Sequence, residues 1–197
     1  MRMFVAVVPP DEALDHLDEF LDRRRDAADF RWSARDQLHL TMAFLAEVPD
    51  RALDDLLDRL ERAAHRRTRV PTAIAGGGAF PNVSRARVLW AGLDLDEAGR
   101  TELSRLATGS RAAASKAGVA VDGARFKPHV TVARLKHAQE TSSWVRLLDG
   151  YRGPAWVVDE VQLIASYLGE GPRNRPRHEP LASFPLGGRS RPLGSPT

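Results

Sequence analysis

The chain contains no cysteine, which excludes disulfides, thiolate metal ligands and a cysteine nucleophile. It has three lysines against 26 arginines. Two explanations are open: a GC-rich coding sequence, or a use for phosphate, since a planar guanidinium fork matches phosphate oxygens better than an ammonium does. Long apolar runs are missing too. No stretch reaches the ~18 residues of a membrane span. The opening Met1–Val8 run stops at Pro9-Pro10 and is too short for a signal h-region plus cleavage site. These absences lead us to expect a cytoplasmic protein that makes no use of a membrane.

The 197 residues are 43% apolar and 28% charged, the balance of a soluble globular domain with one core or two small lobes sharing a core. Net charge is +3. Glu170 to Thr197 holds five arginines against two glutamates, so the body before it balances to zero. A globally basic face is therefore not indicated, while a local phosphate pocket remains open.

Periodicity predicts a strand over Met3–Val8, a helix from Asp11 to about Asp26 and an extended piece at Phe30–Trp32. A second strand is predicted over Leu38–Leu45, then a helix from Asp50 to about Arg67 with Leu53, Leu56, Leu57 and Leu60 inward. Residues 70–93 read as a hairpin, with Gly76-Gly77-Gly78 as a bulge: the triplet lacks the spacing of a phosphate loop. A helix follows from Asp96 to Lys116, then an extended approach to a strand around His129. A short helix at 141–148 and strands at 156–158 and 160–166 complete the order. The expected class is α+β: one bilobal domain over residues 1–186, two antiparallel sheets flanking a cleft with helices outside, and a disordered tail over 187–197.

Two short stretches carry chemistry. Leu38-His39-Leu40-Thr41-Met42 and Pro128-His129-Val130-Thr131-Val132 each place His and Thr two apart among apolar residues, and the histidines are 90 positions apart. On a strand, residues i and i+2 share a face. If each lobe contributes one pair, two imidazoles face one cleft. One, neutral, takes a proton from a nucleophile, and the other, protonated, gives one to a leaving group. The threonines hydrogen-bond an oxyanion between them. Neither motif has His-x-His spacing or a carboxylate, and two histidines are an incomplete metal ligand set. No metal or other cofactor is therefore expected, and metal-free attack on a phosphodiester fits best. Phe44 and Phe126 are candidates for stacking on a base, though packing in the core is the stronger expectation. His16 and His65 are read as solvated on their helices, His137 as a loop residue after the second motif strand, and His178 as a residue without a role among prolines and arginines. Arg173, Arg175 and Arg177 are candidates for contact with further phosphate groups, with a solvated loop as the even alternative.

The paired motifs resemble those of the two-histidine phosphoesterase superfamily, and within it the bacterial RNA 2′,3′-cyclic phosphodiesterases, also named 2′-5′ RNA ligases. Phe4–Val7 resembles the family's opening strand, Phe80–Trp90 its middle hairpin, and Phe126–Arg134 its second motif with the trailing arginine. Ala46 departs from the family's usual glycine, and Pro172–Pro180 from its shorter basic link. The resemblance implies opening of an RNA-terminal 2′,3′-cyclic phosphate to a 2′-phosphate by a monomer. His39 would act as acid and His129 as base, in an order the sequence leaves open. Thr41 and Thr131 would hold the non-bridging oxygens, and Arg134 would add charge. Arg134 lies three residues after Thr131, so on a regular strand it points away from the site. Alternatives are a small-nucleotide cyclic phosphodiesterase or ligase of the same superfamily, and a non-catalytic RNA-end binder.

Overall fold

The computed structural model describes residues 1–187 except Ala124 and the side chain of Arg173; the expected tail lies outside these from residue 188 on. Nine strands and four α-helices alternate along the described chain: β1 (Met3–Val7), α1 (Asp11–Asp22), β2 (Arg31–Trp32), β3 (Leu40–Leu45), α2 (Asp50–His65), β4 (Val70–Phe80), β5 (Ala86–Asp94), α3 (Glu97–Lys116), β6 (Val130–Gln139), α4 (Ser142–Asp149), β7 (Arg152–Val158), β8 (Glu160–Tyr167) and β9 (Arg177–Pro185). They form two antiparallel sheets, one in the order β3-β1-β8-β9 and one in the order β2-β6-β5-β4-β7. Helices α2 and α3 cover the first sheet, while α1 and α4 cover the second. No helix among the described residues is long and apolar enough to cross a membrane.

The helices form where apolar residues recur at helical spacing. In α2, Ala52, Leu56, Leu60 and Ala64 are buried at every fourth position, with Leu53 and Leu57 beside them. In α3, Leu103, Leu106, Ala107, Ser110 and Ala114 form the buried stripe, and the Asp96 side chain accepts the Gly99 N–H at 2.7 Å, capping the N-terminus. Burying each such leucine is worth roughly 1.5–3 kcal/mol.

Strand β1 is central in its sheet and buried on both faces. Met3, Val5 and Val7 join the main core beneath the helices, while Phe4 and Ala6 pack with Ile164 in a second, small cluster on the opposite face. That second cluster floors the space between the sheets.

The expected hairpin is present, and its glycines do different jobs. Pairing slips between Ile74 and Gly77, with Gly76 at φ +73°, so the bulge is confirmed. Gly78 pairs with Trp90, whose ring lies across it: a Cβ at Gly78 would sit 2.2 Å from that ring.

The sequence reading missed β9. Pro180 and Pro185 interrupt its donors, a pattern tolerated on an edge strand, and β9 is the edge beside β8, with a bulge between Leu163 and Ile164. The extended approach expected before His129 is irregular over its described residues, and His137 lies in β6.

The Gly78→Ala substitution should cost about 1–3 kcal/mol by overpacking against Trp90. Thermal or urea unfolding reads this directly, and unchanged stability would mean the ring moves aside freely.

Candidate active site

Both motif strands break their ladder at the same place. In β3, Val5 pairs with Ala43 and Ala6 with Thr41, so Met42 has no partner across from β1. In β6, Leu89 pairs with Ala133 and Trp90 with Thr131, so Val132 is skipped. Each extra residue advances the side-chain alternation by one. Met42-Ala43 and Val132-Ala133 are both buried in succession. Thr41 and Phe44, and likewise Thr131 and Arg134, therefore fall on one face. The bulge removes the objection that Arg134 should point away. It also makes Phe44 the positional counterpart of Arg134.

His39 and His129 sit one residue before their strands begin. The Nδ1 of His129 lies 2.7 Å from the carbonyl oxygen of Lys127, two residues back, and the His39 ring is hydrogen-bonded to the backbone of Gln37, also two residues back. A proton on Nδ1 donated to that carbonyl leaves Nε2 with its lone pair. Each ring also rests on an aromatic side chain: Phe4 stacks on His39 with centroids 4.6 Å apart, and Phe80 meets His129 edge-on at 4.9 Å.

Both pairs open into one cavity of about 500 Å³ lined by His39, Thr41, His129, Thr131, Phe44 and Arg134. All five residues expected at the site meet here. Three further arginines, Arg2, Arg31 and Arg175, line the same space. Arg31 stands opposite Arg134 in the β2–β6 ladder, an unfavourable like-charge pair unless an anion lies between. Arg2 covers the Phe44 ring at 4.5 Å. At the rim, Lys127 lies over the Trp90 ring at 4.6 Å.

His178 corrects the sequence reading. Strand β9 carries it into the cavity, 5.6 Å from the His39 ring and 5.0 Å from Phe4. Its neighbours Arg177 and Glu179 offer no apolar alternation, and the only local signal is the short Leu181–Phe184 run after Pro180. Of the flanking arginines, Arg175 reaches the cavity. Arg177 is bound at 2.8 Å to both Glu170 and Glu179, and the side chain of Arg173 lies outside the described residues. Phe126 packs against the core. His16, expected to be solvated, is hydrogen-bonded to the Tyr151 hydroxyl at 2.9 Å.

Electrostatics push both motif histidines toward neutrality. Burial, then the nearby His178 charge, lowers His39 to about 4, with His129 and Arg134 acting the same way against the Gln37 bond. Burial also lowers His129, opposed by its Lys127 bond and aided by Arg134 and Lys127. Unfolded, His39 titrates near 6.5, so between those values the unfolded chain binds the extra proton. This contribution to stability is complete above pH 6.5 and is lost as pH falls toward 4.

His178→Asn removes one of the causes that depress His39. In an NMR titration of the ring Cε1–H signals, His39 should then titrate above its wild-type value and still below 6.5, because burial remains. An unmoved His39 would show that His178 has no electrostatic hold on it.

Comparison with known proteins agrees with this geometry. The family model described as LigT-like phosphoesterase matches residues 7–90 and 93–173. Among curated relatives, an RNA 2′,3′-cyclic phosphodiesterase of Thermus thermophilus is 34% identical over 142 residues, 69% of each chain. One of the same name from Geobacillus stearothermophilus is 29% identical over 98% of this chain, which spans 58% of that relative's length. Among solved structures, TT0787 of Thermus thermophilus superposes with a TM-score of 0.75 at 30% identity, covering 96% of this chain and 100% of that one. Escherichia coli LigT complexed with 3′-AMP gives 0.72 at 27% identity, covering 94% and 97%. The paired motifs, the two sheets around them and the extent of these matches make the chain a member of the LigT-like phosphoesterase family.

Proposed function

We propose that the cleft hydrolyses the terminal 2′,3′-cyclic phosphate of RNA to a 2′-phosphate, with no metal taking part. The observation that carries this reading is the convergence of two His-Thr pairs, each imidazole held by the backbone two residues before it, on one arginine-lined cavity. The names of the curated relatives support the substrate, and the 3′-AMP complex of the Escherichia coli neighbour supports a nucleotide end in such a cleft. Among the described residues no group of three or more His, Asp or Glu side chains has the spacing to hold a metal ion.

Water attacks phosphorus as the bond to the 3′ oxygen breaks. His129 takes the water proton and His39 protonates the departing oxygen. The hydroxyls of Thr41 and Thr131 and the Arg134 guanidinium bind the non-bridging oxygens as charge builds there. Both imidazoles are neutral in the empty cleft at pH 7, so an acid must be made. A phosphate anion within ~4–6 Å raises a neighbouring pKa by roughly 1–3 units. The substrate therefore helps to charge its own acid.

His39→Ala and His129→Ala should each lower kcat by about 10²–10⁴-fold on a dinucleotide 2′,3′-cyclic phosphate. Near wild-type turnover in either would sink the mechanism, and binding without product would leave a non-catalytic end binder. Replacing the 3′ oxygen by sulfur provides a leaving group that needs no proton. His39→Ala should lose far less on that substrate, whereas rescue of His129→Ala would reverse the two roles. Wild-type activity should survive EDTA.

The pH profile gives a separate check. Because burial holds both histidines below 6.5 in the free enzyme, both limbs of the kcat/KM bell should lie below that value. The limbs of kcat should move to higher pH, since bound phosphate favours the imidazolium. Coincident profiles would show that substrate does not charge the acid.

A further inference from the structure

A second basic site lies on the other side of the first sheet, away from the imidazoles. Between α2 and α3 runs a groove of about 550 Å³ whose floor is small side chains, including Ala63, Gly109 and Ala112. A Cβ placed at Gly109 would lie 3.6 Å from that of Ala63, so the groove stays open because nothing larger fills the crossing. Its walls carry five arginines and one lysine, together with the hydroxyls of Ser104 and Thr108.

Three of these cations are already neutralised. Arg59 pairs with Asp55 at 2.7 Å, and Arg67 and Arg105 share Glu102 at 3.7 and 3.3 Å. The other three, Arg62, Arg66 and Lys116, take part in none of the ion pairs found among the described residues. Helix dipoles favour cations in the last turns of α2 and α3. That preference does not explain gathering both sets around one trough with two hydroxyls in its wall. Several phosphates in a row are the ligand chemistry that fits: charge from the guanidinium forks, hydrogen bonds from the hydroxyls, and a floor of small side chains that leaves room for a chain to lie along it.

A short segment of chain ties one end of the groove to the cleft strand. Lys116 ends α3, and the Asp122 N–H, six residues on, meets the Phe44 carbonyl at 3.5 Å. Six residues span at most ~20 Å, so the Lys116 end of the groove lies within that reach of the strand whose Phe44 lines the cleft. Exposed Arg125 and Lys127 then continue the positive charge along the same segment to His129.

Resting on the reading above, we propose that the α2–α3 groove binds the phosphate backbone of the RNA body while its cyclic end occupies the cleft. The partner is single-stranded RNA long enough to pass round the β3 edge. The site confers a preference for long substrates over dinucleotides and leaves the chemistry at the end untouched.

The experiment compares wild type with R62E/R66E/K116E, and with the neutral R62Q/R66Q/K116Q in case charge reversal disturbs folding. Substrates are a 2′,3′-cyclic dinucleotide and a single-stranded RNA of about 20 nucleotides with the same end. With the long RNA, KM should rise at least about tenfold in the reversed variant, with kcat unchanged. The salt dependence of log(kcat/KM) should flatten by about 2 for three lost phosphate contacts. Dinucleotide kinetics should not move. Equal KM values for the long RNA in all three proteins would overturn the proposal, as would a parallel loss on the dinucleotide. Fluorescence anisotropy with the same RNA ending in a 3′-hydroxyl separates the two readings. If wild type cleaves neither substrate yet binds this RNA through the three cations, the end chemistry has failed and the groove stands. If the cations bind inorganic triphosphate but not the RNA, the groove is a small-anion site and the proposal falls.

Discussion

One unpaired residue in each motif strand sets the geometry of the cleft. Met42 and Val132 have no partner across the ladder, and each shifts the side-chain phase by one. Without that shift, a strand that turns Thr131 to the cavity turns Arg134 to the core. With it, hydroxyl and guanidinium sit on one face, and Thr41 and Phe44 are arranged in the same way in the other lobe. The lobes thus share a backbone device and differ in what it displays. One offers a charge to phosphate and the other an aromatic ring, itself covered by Arg2. This asymmetry gives a pseudo-symmetric cleft a direction.

The imidazoles depend on the same scaffold. Each lies at the entrance to its strand, where the backbone has not joined the ladder, so its ring finds a backbone partner two residues back. Aromatic rings beneath them and burial around them remove water and lower their proton affinity. The surrounding arginines reinforce that effect in the empty cleft and reverse their usefulness when an anion arrives. Few lysines reach this cavity, and guanidinium groups, always charged and able to bond in pairs, suit such a site.

Much of this was legible in the residues. The alternation of His39 and Thr41, and of His129 and Thr131, against buried Leu40, Met42, Val130 and Val132 is a period-two signal that survives to the folded chain. The helical stripes of α2 and α3 are equally plain, because burial at every third or fourth position is all that such helices need. The missing parts share a cause. A bulge changes phase without changing composition, so the direction of Arg134 could not be read from spacing. Strand β9 is an edge strand with prolines and charges, stabilised by pairing with β8 rather than by its own pattern. His178 is invisible in sequence for the same reason, since only register with Ser166 carries it to His39.

The order of strands in the first sheet has a consequence for how the chain is made. Strand β1 precedes every other element described, yet it lies between β3 and β8. Phe4 gains Phe44 across one edge early in synthesis, but its other neighbour, Ile164, is some 160 residues later. The floor beneath His39 therefore stays half-built, with an open hydrogen-bonding edge, until β8 has emerged. The second sheet uses only residues 31–158 and can close first. Its completion shortens the loop that must be ordered to bring β8 back to β1, lowering the entropy cost of that long-range pairing. The lobes are thus coupled in time as well as in space: the sheet bearing His129 has all its strands before the sheet bearing His39 has its last two.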